Sequence, residues 1–119
     1  MNQDGGTMFP GAGHGEVADY QISSSVLQSI VRWSVASEPR VRLHREGARP
    51  GRRDAEIVVV QGVGSVVVHV LAQLGEDLPA LGEAVKEIIA SRLARMTGLR
   101  IARVDVHFDG VFPPPEDHA

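Results

Sequence analysis

The chain has 119 residues, a formal net charge of −3 and no cysteine. That length fits one domain able to bury a core without cross-links, and the missing cysteine excludes disulfide frameworks, thiol nucleophiles and Cys-ligated zinc. The negative balance does not point to nucleic acid, and an aromatic content of 4% argues against a stacking platform for single strands.

Residues 1–19 are rich in glycine, with Pro10 and no apolar periodicity, and are read as a disordered tail. Residues 1–16 lack the basic start and apolar middle of a signal peptide. No stretch approaches the ~18 apolar residues that span a bilayer. The expected location is the cytoplasm, with any membrane association made through a partner.

The ordered domain is expected over residues 20–112. Ser23, Ser24 and Ser25 offer N-cap oxygens, and Val26, Leu27, Ile30, Val31, Ser34 and Val35 then recur at helical spacing. Pro39 ends that helix, because the residue before proline avoids the α region. A short strand is expected over 40–43, with Val41 and Leu43 on one face, and Gly47, Pro50 and Gly51 break the chain after it. Two Val-rich strands follow, over 56–61 and 65–74, joined at Gly62-Val63-Gly64 as an antiparallel hairpin.

Asp77 is the expected N-cap of a second helix, with Pro79 in its first turn. Leu81, Val85, Ile88, Ile89, Leu93 and Met96 form its apolar stripe. Gly98 is placed just past its end in the left-handed conformation. The last strand, over 99–110, alternates Ala102, Val104, Val106 and Phe108 with Arg103, Asp105, His107 and Asp109. Residues 113–119 begin with three prolines and are read as a second tail. The pattern predicts an α+β fold, a small mixed or antiparallel sheet of three or four strands with two helices packed on one face.

Charge concentrates at Arg40, Arg42, Arg45, Arg49, Arg52 and Arg53. Such a segment either grips phosphates or acidic groups or is a solvated loop of biased composition. Asp105, His107 and Asp109, with His69 on a neighbouring strand, could form a metal-binding row or an ordinary cross-strand ladder. The ladder is the simpler account. Gly62-Val63-Gly64 lacks the Lys-Ser/Thr of a phosphate loop, and no Gly-x-Ser-x-Gly elbow is present. Trp33 on the first helix is either core or an anchor on an exposed patch, and core is the simpler assignment. No catalytic, cofactor or metal residue is assigned. The candidate interaction surface is Arg42, Arg45, Arg49, Arg52, Arg53, Arg103, Asp105 and His107.

The block Met96-Thr97-Gly98-Leu99-Arg100-Ile101-Ala102-Arg103-Val104-Asp105-Val106-His107-Phe108-Asp109-Gly110-Val111 resembles the alkaline shock protein family, also called the Gls-type envelope stress response family. That family ends in a helix, then Met-Thr-Gly-Leu, then a Val-alternating strand closing in Gly-Val. The upstream order of elements from Tyr20 also fits. The chain departs from the family at Ser37-Glu38-Pro39-Arg40-Val41, at Leu74-Gly75, and at Ile88-Ile89, where a Gln is common. The resemblance implies a divergent, non-enzymatic protein of the bacterial cytoplasm linked to envelope stress. It also implies protein partners, among them a small membrane-anchored protein, and self-association into a homo-oligomer. The alternative function is a small Arg-rich regulator that binds nucleic acid through Arg40–Arg53, Arg100 and Arg103.

Overall fold

The computed structural model describes residues 21–44 and 54–116. In chain order its elements are α1 (Ser24–Ala36), β1 (Val41–Leu43), β2 (Ala55–Val60), β3 (Val63–Gln73), α2 (Leu78–Thr97) and β4 (Arg100–Phe112). Both expected tails, apart from the exposed Pro113 to Glu116, lie outside the described residues, as do Arg45, Arg49, Arg52 and Arg53.

β3 is the spine of a four-stranded sheet. β4 runs parallel to it along its whole length, from Val63↔Arg100 to Gln73↔Phe112. A strand has only two edges, so β1 and β2 share the other one. β1 pairs antiparallel with Val70 to Ala72 and β2 pairs antiparallel with Val63 to Val68. His44 N–H donates to His69 O (3.0 Å) and His69 N–H donates to Asp54 O (2.9 Å), so both ends of the intervening segment meet at His69. The sheet is therefore mixed, and the fold is α+β as expected.

Side chains of β3 alternate strictly. Gly64, Val66, Val68, Val70 and Ala72 are buried, while the residues between them are half-buried. The buried set faces Leu27, Ile30, Val31 and Val35 of α1 and Leu81, Val85, Ile89 and Leu93 of α2. Both helices thus cover one face of the sheet and leave the other without a helix among the described residues.

The hairpin is tighter than expected. Val60 pairs with Val63, which leaves Gln61 and Gly62 as the turn, with φ of 50° and 77°. Two positive φ values match the twist of a two-residue hairpin. Val63 and Gly64 therefore belong to β3 and not to the turn.

α2 follows its expected signals. The Asp77 carboxylate accepts from Ala80 N–H (3.1 Å), and Gly98 has φ 77° with its N–H on Ala94 O. Thr97 tightens the exit: its hydroxyl donates to Leu93 O (2.6 Å) and accepts from Leu99 N–H (3.1 Å). Leu99 then enters the core at 5% exposure. Met-Thr-Gly-Leu is thus a helix stop joined to a core anchor. At α1, Ser23 holds the N-cap position, but its hydroxyl meets Ser25 Oγ and makes no cap bond.

Three apolar assignments need correcting. Trp33 is 54% exposed, not core. It lies about 120° around α1 from Leu27, and the Arg92 guanidinium covers its ring at 4.2 Å. Val26 and Met96, read as core stripe, are 47% and 59% exposed.

Candidate interaction surface

The helix-free face is built from residues of alternating strand parity. β4 contributes Arg103, Asp105 and His107, opposite Ser65, Val67 and His69 of β3. β1 contributes Arg42, opposite Leu71. The sequence alternation of β4 holds from Arg103 to Phe108 and fails on both sides of it. The register skips Ala102 and Asp109, each an extra residue bulged against β3. Ala102 is accordingly exposed instead of sharing the buried face of Val104.

The second bulge creates the most connected group on this face. Asp109 Oδ2 lies 3.0 Å from His44 Nδ1 and 3.0 Å from His69 Nδ1. An ionised carboxylate only accepts, so both rings present Nδ1–H to it. Burial pushes the Asp109 carboxyl up, but the hydrogen bonds from His44 and His69 outweigh it and hold it below its ordinary value. The His69 ring in turn lies 4.9 Å from that of His107, tilted by 31°. Among the described residues, no group of three or more His or acidic side chains has the arrangement needed to hold a metal ion.

Two arginines of this face have local partners. Arg103 Nε donates to both Asp105 oxygens at 3.1 and 3.0 Å. Arg42 stacks on Phe112, 3.9 Å from the ring centroid. Phe112 is 6% exposed although its register places it on the helix-free side. Arg40 belongs to a different group. It pairs with Glu38 and Glu76, and its hydrogen bonds hold the Glu38 carboxyl below its usual range.

Of the sequence-assigned surface residues, Arg42, Arg103, Asp105 and His107 lie on this one face. Arg45, Arg49, Arg52 and Arg53 lie outside the described residues, and the segment carrying them starts and ends beside His69. Sequence reasoning missed His44, which carried no periodic signal. It also missed the apolar half of the face, where Val58 and Val60 are each 61% exposed. An unbroken Ile-Val-Val-Val run reads as a strand covered on both sides, yet among the described residues only the side of Ile57 is packed against the core.

No family model, curated protein or solved structure matches the chain. No helix among the described residues is long and apolar enough to cross a membrane.

Proposed function

We propose that this chain is a non-enzymatic interaction protein, a divergent relative of the alkaline shock proteins, acting in the bacterial cytoplasm in envelope stress homeostasis. In this reading it reaches the membrane through a small membrane-anchored protein partner. The observation that carries it is the helix-free sheet face. There, Val58 and Val60 stand exposed beside a row of mixed charge made by Arg42, Arg103, Asp105, His107 and Asp109. An apolar patch rimmed by charges of both signs is the composition of a protein-binding surface. Asp105 and Asp109 on the same face disfavour a phosphate backbone, which would need a stripe of one sign. The Met96–Val111 block supports the kinship through three of its parts: Gly98 ends the helix, Leu99 anchors in the core and residues 100–111 lie in β4.

The test is affinity capture of the tagged full chain from bacterial lysate and membranes, read by mass spectrometry. Wild type should retain a small membrane-anchored protein, and a variant carrying Arg42→Glu and Val58→Glu should lose it. Recovery of the same proteins with both chains would overturn the assignment of this face. A salt-sensitive gel shift of duplex DNA by the purified chain would favour the nucleic-acid reading instead.

A further inference from the structure

Trp33 does not stand exposed alone. Gln28 and Arg32 turn one flank of α1 to Ala55 and Asp54, at the entry to β2. The other flank carries Val26, Ile30 and Trp33 at i, i+4 and i+7. A groove of about 370 Å³ runs along that flank, lined by Val26, Ser29, Ile30 and Trp33 and closed by Met96 from the last turn of α2. Val26, Trp33 and Met96 are all exposed in it. The charge around the groove has one sign. The Arg92 guanidinium covers the Trp33 ring, and its polar contact is the Ser37 hydroxyl, to which it donates at 3.1 Å. Arg92, Arg95 and Met96 fall within about 100° of arc on α2. Residues 24–36 and 88–97 contain no Asp or Glu, and among the described residues no carboxylate pairs with Arg92 or Arg95.

We propose that this groove takes an acidic amphipathic helix of another protein, its aliphatic face on Val26, Trp33 and Met96 and its carboxylates on Arg92 and Arg95. This second surface lies apart from the helix-free face of the sheet. The walls of the groove are two helices, whose backbone groups are spent internally, so recognition there runs through side chains and fits a helix better than a strand. From Ser25 to Trp33 the groove follows α1 for about 12 Å, roughly two helical turns. Trp, Met and Arg are the residue types enriched at the centres of protein interfaces. The acid follows from charge complementarity. A guanidinium covered on one side by an indole and bonded only to a hydroxyl gains most from a carboxylate, whereas a basic helix would be repelled by both arginines. A bilayer fits less well. Anionic membranes are gripped by clusters of about four to eight basic residues, and a planar surface would not enter a recess between two helices.

The single tryptophan reports on the groove directly. The full chain is titrated with a synthetic helical peptide of about 18 residues, alanine-based, with Leu at i, i+4 and i+7, Glu on both flanks and no aromatic residue. A twin peptide carries Lys in place of each Glu. The Glu peptide should shift Trp33 emission to the blue and saturate, binding about tenfold or more tightly than its Lys twin. Arg95→Glu, an exposed change whose folding is checked by circular dichroism, should weaken the Glu peptide about tenfold and strengthen the Lys twin. Met96→Ser should weaken the Glu peptide about threefold or more. Equal binding of the two peptides overturns the proposal, as does an emission spectrum that neither changes, or a preference for Glu that survives Arg95→Glu. Three further outcomes would assign the groove elsewhere and overturn it as well. One is a blue shift with equimolar phosphatidylglycerol–phosphatidylcholine vesicles and none with peptide. Another is a dimer in sedimentation velocity that shields Trp33 from acrylamide. The third is the same shielding in a monomer, which would mean that the chain covers the groove itself.

Discussion

The Nδ1 of His69 and the Oδ2 of Asp109 lie 3.0 Å apart across two parallel strands, and the bulge in β4 accompanies that contact. Residue 108 faces the helices and residue 110 faces the open side, so an unbulged strand would carry only one of the parities needed. The extra residue turns the carboxylate toward β3 while Phe108 stays over the core. Asp109→Asn keeps the shape and removes the charge. Losing charge-assisted bonds from two histidines at a partly exposed site should cost about 1–2 kcal/mol at pH 7.

The pH dependence has a defined sign. The folded-state pKa of Asp109 is held below its ordinary value, so its stabilisation is present above the unfolded carboxyl pKa, about 3.9. It is lost as pH falls through the lower folded value. The gap in urea midpoint between wild type and Asp109→Asn should therefore be full at pH 6–7 and shrink below about pH 4. A gap that widened in acid would contradict the geometry.

Gly98→Ala isolates backbone conformation from packing. Gly98 has φ 77° and nothing lies within 4 Å of the Cβ it would gain, so the expected cost is the left-handed strain alone, about 1 kcal/mol. Thermal unfolding should fall by a few degrees, with the slope of urea unfolding unchanged.

Gly82→Ala should act in the opposite direction. Gly82 sits inside α2, where glycine is less favourable than alanine by about 1 kcal/mol. The new methyl would meet Phe108 at ordinary contact distances of 3.4 and 3.7 Å. Stabilisation of about 0.5–1 kcal/mol is expected in urea melts, since the helix gains propensity without displacing the ring.

Trp33 gives a spectroscopic check of the corrected packing, because it is the single tryptophan. At 54% exposure its emission should be red-shifted and readily quenched by acrylamide. Trp33→Ala should cost about 1 kcal/mol or less, because exposed substitutions disturb little packing. Ile89→Ala, at a fully buried site, should cost about 2–5 kcal/mol. Equal costs would mean that Trp33 is core after all.

How much was legible in the sequence follows the range of each signal. The α2 boundaries, the Gly98 stop and the central alternation of β4 depend on residues a few positions apart. Local chemistry sets them, and they stand where the sequence placed them. Trp33, Val26 and Met96 are apolar residues on helices, and only the placement of α1 against α2 and the sheet decides which side of each helix is covered. The hairpin run of valines was unreadable as to face, because nothing polar alternates with them.

The site shows the same division. Arg103, Asp105 and His107 share a face by strand parity alone, and that was visible in the sequence. His44, His69 and Asp109 are 40 or 65 positions from one another's hydrogen-bond partners, and their meeting depends on parallel registry of β4 and on one extra residue. By itself the sequence determined the elements, the turn chemistry and the α+β class, because propensity, capping and periodicity act locally. Only the tertiary structure decided that β4 lies parallel to β3, because strand pairing is settled by which apolar faces the two helices can bury together.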